Sequence, residues 1–143
     1  MVAREEKASI LKGITEDLPT LYYAYRLTQR AARIGFDWPD LPDVLKKMDE
    51  ELGEFREALS LQNRQRITEE LGDLLFVLVN VARFLRIDPE KALKGTVKKF
   101  CSRFRFIETS LRQRGKSIRC SNLVEMDQLW EEAKRRRKAE KKL

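Results

Sequence analysis

Apolar residues recur at helical spacing along most of this chain. Leu18, Leu21, Tyr22, Tyr25 and Ala32 predict a first helix from Leu18 to Arg33, with Gly35 as its terminator. Val44, Leu45, Met48, Leu52, Phe55 and Leu59 predict a second. It opens at Pro42, takes Asp40 or Leu41 as cap, and ends near Leu61. Gln62-Asn63 reads as a turn, and a third helix follows from Arg64 to Leu85. Asp88-Pro89-Glu90 signals the start of a fourth, with Asp88 as cap and Pro89 in the first turn; it runs to Arg114 and stops at Gly115. The fifth opens at Asn122, with Glu125 in a capping-box position, and runs into a basic tail. The connector Gly35-Phe36-Asp37-Trp38-Pro39-Asp40 is irregular, and its two aromatics are read as packing residues.

Short links between the second, third and fourth helices imply antiparallel neighbours. The expected fold is therefore an all-α antiparallel helical bundle. Residues 1–17 read as a loosely attached lead-in, 18–133 as one domain, and 134–143 as a basic C-terminal tail. From Leu71 to Leu85 the polar side chains are Asp73, Asn80 and Arg83 only. A helix so apolar is expected to be buried on most sides, and in a domain this small that points to a second subunit. The bundle is thus expected to be completed by homo-oligomerisation, as a homodimer or larger. Asp73 and Asn80 are seven residues apart and share a face, and a polar stripe within such a helix calls for a partner.

Composition narrows the chemistry. The sequence has 143 residues, enough for one domain with a real core, and its six glycines and four prolines favour helices over a turn-rich β fold. No apolar run reaches the length of a membrane span and no signal-peptide core is present, so a cytoplasmic location without membrane contact is expected. Cys101 and Cys120 follow no CxxC pattern and read as free thiols. The absence of histidine excludes Ser-His and Cys-His nucleophile systems, the usual zinc sites, and a ferritin-like di-iron bundle. The net charge of +7 is concentrated in the tail: residues 134–143 carry +6, which leaves +1 for the other 133. The basic balance therefore says little about partners of the body.

Two acidic clusters remain: Glu50-Glu51-Leu52-Gly53-Glu54 and Glu69-Glu70-Leu71-Gly72-Asp73. Glu51 and Glu54 are neighbours on one helix face, as are Glu70 and Asp73 on the next. If the two helices pack antiparallel, four carboxylates converge. Uncompensated carboxylates repel and are costly to bury, and a hard divalent cation with oxygen ligands resolves that cost. With no histidine, Mg²⁺ is the expected ion and Mn²⁺ a substitute.

These residues carry a family resemblance. Glu50-Glu51-x-x-Glu54 followed by Glu70-x-x-Asp73 resembles the signature of the all-α NTP pyrophosphohydrolases, MazG branch, and its C-terminal domain in particular. The wider match runs through Ala31–Pro39, the Glu50 segment, Glu69–Phe76 with Val79–Arg83, Lys99-Phe100 with Arg103-Phe104, and Met126–Trp130. The resemblance implies Mg²⁺-dependent hydrolysis of nucleoside triphosphates, ribo- or deoxyribo-, to monophosphate and pyrophosphate by a homo-oligomeric helical enzyme. It implies metal binding by Glu51, Glu54, Glu70 and Asp73, with Glu50 beside them to position or deprotonate the attacking water. It further implies that Lys99 and Arg103 contact phosphates and that Asn80 and Trp130 lie near the nucleotide. The chain has no GxxxxGK[ST] loop, so a P-loop mechanism is not expected.

One departure stands out. The family often reads Thr-Asn-x-Lys-Phe where this chain has Thr96-Val97-Lys98-Lys99-Phe100. Val97 in place of Asn is expected to affect affinity or base choice and leaves the metal ligands untouched. Longer relatives carry two such domains in tandem. The alternative function is a helical dimeric binding module that holds nucleic acid through the tail. That reading is not favoured, because it gives no reason for the carboxylates and the tail lacks interleaved aromatics.

Overall fold

A computed structural model describes residues 8–141. The first seven residues of the expected lead-in and the last two of the basic tail lie outside that range. The described residues form five α-helices, one short 3₁₀ turn and no strand: α1 (Thr20–Arg33), α2 (Leu41–Ser60), α3 (Arg64–Phe84), α4 (Pro89–Gln113), the turn Ile118–Cys120, and α5 (Leu123–Lys141). The chain divides into two compact units, Met1–Ala92 and Leu93–Leu143, with α4 running from the first into the second.

Local chemistry sets the helix ends. Asp40 caps α2, its side chain accepting from the Asp43 N–H at 3.0 Å, and Asn63 caps α3 by accepting from Arg66 N–H at 3.1 Å. Such caps are each worth about 1 kcal/mol. Asp88 accepts from the N–H groups of Glu90 and Lys91. Gly35, at φ +93°, closes α1: its N–H bonds Ala32 O and the Phe36 N–H bonds Ala31 O. Gly115 ends α4 in the same way, with bonds to Arg112 O and Leu111 O. The capping box expected at the fifth helix is half formed. Asn122 accepts from the Glu125 N–H, but the Glu125 carboxylate takes the Ser121 hydroxyl at 2.6 Å and the Lys116 ammonium at 3.3 Å instead.

In the first unit α3 folds back against α2 and also touches α1. Val44 and Ala58 of α2 and Val77 and Val79 of α3 are buried there. Within the described part of the lead-in, the carbonyls of Ile10 and Lys12 accept from Arg30 of α1. The second unit centres on Ile107, Leu111 and Leu129, with Phe106, Ile118, Met126 and Trp130 packed around them. Two expectations about apolar residues change. Phe36 is 80% exposed and packs far less than its aromatic ring predicts. Within this single chain α3 is not buried all round: Leu71, Leu75, Phe76 and Leu78 stay nearly half exposed. The last turns of α5 are helical through Lys141, and the Arg136 guanidinium stacks 4.8 Å from the Phe106 ring centroid. Among the described residues both cysteines are free, and no helix is long and apolar enough to cross a membrane.

Candidate active site

The fold-back of α3 on α2 brings the two acidic clusters together. One carboxylate oxygen from each of Glu51, Glu70 and Asp73 lies within 4.8 Å of the others. Glu51 is buried, at 6% exposure, while Asp73 faces solvent. Glu54 joins the group through Glu70. Burial raises the Glu70 carboxyl above its ordinary value, and the charge and hydrogen bond of Glu54, then the charges of Asp73 and Glu51, push it the same way. Two oxygens of the cluster, Glu51 Oε2 and Glu70 Oε2, are buried with no hydrogen-bond partner. Orphaned buried carboxylate oxygens are costly, and at this spacing they fit the all-oxygen ligand set of a hard divalent cation.

A residue that sequence reasoning passed over sits against this cluster. Lys47 Nζ is 3.1 Å from Glu51 Oε1 and 3.6 Å from Glu50 Oε2. The Glu51 hydrogen bond raises the Lys47 ammonium above its ordinary value. The i, i+4 spacing of Lys47 and Glu51 was the available signal. Glu50 itself is half exposed, its carboxylate 3.6 Å from Lys47, and it is not among the acids whose oxygens meet within 4.8 Å.

Asn80 is 1% exposed on α3. Its amide donates to Phe76 O at 3.1 Å, and its carbonyl accepts from Arg83 Nη2 at 2.9 Å. Arg83 in turn clamps Asp37 of the connector with two bonds of 2.8 and 2.6 Å, which hold the Asp37 carboxyl below its ordinary value. This chain of contacts walls a largely apolar recess of about 270 Å³, lined by Leu27, Ala31, Trp38, Phe76 and Asn80 among others. Asp73 and Asn80 lie two turns apart on one face of α3, roughly 10 Å along the axis.

The other expected substrate residues lie in the second unit. The Arg103 guanidinium sits 5.2 Å from the centroid of the Trp130 ring, and the Phe100 ring lies 5.8 Å from Trp130. Arg103 Nε is buried without a partner. Lys99, one turn before Arg103, is half-buried, and Val97 is 52% exposed.

Residues 42–105, which hold the whole carboxylate cluster together with Lys99 and Arg103, match the MazG nucleotide pyrophosphohydrolase domain. The chain carries a MazG domain. It is 38% identical over 130 residues to the nucleoside triphosphate pyrophosphohydrolase/pyrophosphatase MazG of Thermotoga maritima, covering 91% of this chain and 50% of that protein. It is 36% identical over 135 residues to the nucleoside triphosphate pyrophosphohydrolase of Escherichia coli K12, covering 93% of this chain and 51% of the relative. A shorter stretch of 72 residues is 46% identical to the uncharacterized protein YabN of Bacillus subtilis, covering 50% of this chain and 15% of YabN. This MazG chain therefore spans about half the length of the two pyrophosphohydrolases it resembles.

Proposed function

We propose that this MazG domain hydrolyses nucleoside triphosphates, ribo- or deoxyribo-, to the monophosphate and pyrophosphate, with Mg²⁺ as the natural ion and Mn²⁺ as a substitute. The observation that carries the reading is the meeting of Glu51, Glu70 and Asp73 oxygens within 4.8 Å, with two buried oxygens left unpartnered. Glu51, Glu54, Glu70 and Asp73 would hold the metal, which when bound neutralises triphosphate charge and acidifies water. Glu50, half exposed, positions or deprotonates the attacking water. Lys99 and Arg103 meet the phosphates, and stacking on Trp130 pre-orients the Arg103 guanidinium for that contact. The recess beside Asn80 takes the base and sugar. Its distance of about two helical turns from Asp73 suits the separation of a base from its phosphates. The helices act as an antiparallel bundle completed by a second copy, which covers the apolar residues that α3 leaves exposed. The reaction belongs in the cytoplasm, where nucleotides are made and used.

The test is a panel of NTPs and dNTPs incubated with the protein in Mg²⁺ and in EDTA, with products identified. Metal-dependent monophosphate plus pyrophosphate is expected. Diphosphate plus orthophosphate would keep the metal site and overturn the reaction, and turnover that survives EDTA would overturn the metal.

A further inference from the structure

Among the described residues, the carboxylate cluster has an ion pair with Lys47 alone. The pair has an odd design for a stabilising one. The cation precedes the acid at i, i+4, the weaker of the two orders in a helix, and the Lys47 side chain is 37% exposed. Partly exposed pairs of this kind contribute little to folding. What does need Lys47 is Glu51, whose side chain is 8% exposed and has a carboxylate oxygen within 4.8 Å of oxygens of Glu70 and Asp73. A buried carboxylate without a counter-charge is strongly unfavourable. Of the two Glu51 oxygens Lys47 pairs with Oε1, and Oε2 stays buried and unpartnered.

We propose that Lys47 is a resident counter-ion, which neutralises Glu51 while the site holds no metal and which a divalent cation must displace from that carboxylate. The inference rests on the metal reading above and goes beyond it, because it makes metal binding an exchange of cations. Two positive charges sharing one carboxylate repel, so the ammonium leaves as the metal arrives. Its flexible four-carbon stem and partial exposure make withdrawal to solvent easy. Lys47 is thus a positioning residue that lowers metal affinity and keeps the empty site folded. A mere structural prop for Glu51 would do the reverse and raise metal affinity.

The experiment titrates Mn²⁺ by calorimetry into the native chain, Lys47→Gln and Lys47→Arg, and records thermal melts in EDTA. Lys47→Gln is expected to bind Mn²⁺ at least about threefold more tightly and to melt lower in EDTA, while Lys47→Arg stays near the native values. In the native chain, the acetylation rate of Lys47, read by mass spectrometry, is expected to rise on adding Mn²⁺. Unchanged or weaker Mn²⁺ binding by Lys47→Gln, beside normal binding by the native chain, overturns the counter-ion role and spares the metal reading. An acetylation rate that does not rise on Mn²⁺ addition also overturns it. Failure of the native chain to bind Mn²⁺ at all overturns the metal reading and this inference with it.

Discussion

Glu70 is held above its ordinary value first by burial and then by the repulsion of the carboxylates around it. A glutamate whose folded value lies above its unfolded one binds its proton more tightly in the native state. It therefore contributes stability that is full at acid pH and is lost as pH rises through its raised folded value. Without metal, the protein is expected to lose thermal stability over that range. Glu70→Gln should remove that component, and Mg²⁺ should offset it. Melting curves in EDTA across the acid-to-neutral range test this, and parallel pH profiles for native and variant would refute it. The same repulsion predicts the behaviour of the other acids. Glu54→Gln or Asp73→Asn should cut turnover by more than about 100-fold, since even outer partners of a metal site cost 10- to 100-fold. Both should melt no lower than the native protein in EDTA, because each removes a repelling charge. Near-normal turnover in either would sink the ligand assignment. Val97→Asn, restoring the family residue at an exposed position of α4, is expected to change KM or base preference and leave the Mg²⁺ requirement unaltered.

At the scale of elements, the connector between α1 and α2 is fixed by a contact the sequence does not display. Asp37 and Arg83 are 46 positions apart, yet their two bonds join the connector to α3 and orient Asn80. Asp37→Asn should destabilise the protein by about 2 kcal/mol, the range for a charge-assisted bond whose partner stays largely buried. Urea denaturation measures it, and an unchanged midpoint would show that the clamp is idle. KM for nucleotide should rise as well, because Trp38 and Asn80 line the same recess. Helices and most of their ends were legible in the sequence because their signals are local: Asp40, Asp88, Gly35 and Gly115 each act within a few residues, while Asn63, read as a turn residue, also caps α3. The convergence of Glu51, Glu54, Glu70 and Asp73 was legible too, since helical spacing and a short link fix it. What depends on tertiary surroundings was not. Nothing local marks Phe36 as exposed, Asp37 as clamped, or Glu125 as drawn to Lys116 in place of its own cap. The i, i+4 spacing of Lys47 and Glu51 is a local signal, but the burial of Glu51 that makes the pair matter is tertiary.

At the scale of the molecule, α3 poses the remaining question. Its inner positions Val77, Val79 and Asn80 are buried, while Leu71, Leu75 and Leu78 are 45 to 49% exposed. These three leucines stand at i, i+4 and i+7, so they form one apolar stripe. Scattered exposed leucines need no explanation, but a continuous stripe beside a charged cluster marks a surface meant to be covered. A second copy of the chain is the expected cover. Analytical ultracentrifugation should find a dimer or larger at micromolar concentration. Leu75→Glu, placed mid-stripe, should shift it to monomer, because a charge buried at an interface is strongly unfavourable. The link to function makes the test sharper. The stripe lies on the same helix as Glu70, Asp73 and Asn80, so losing the partner should loosen α3 and lower turnover. A monomeric native chain with full activity would show that one copy suffices, and a dimeric Leu75→Glu would place the interface elsewhere.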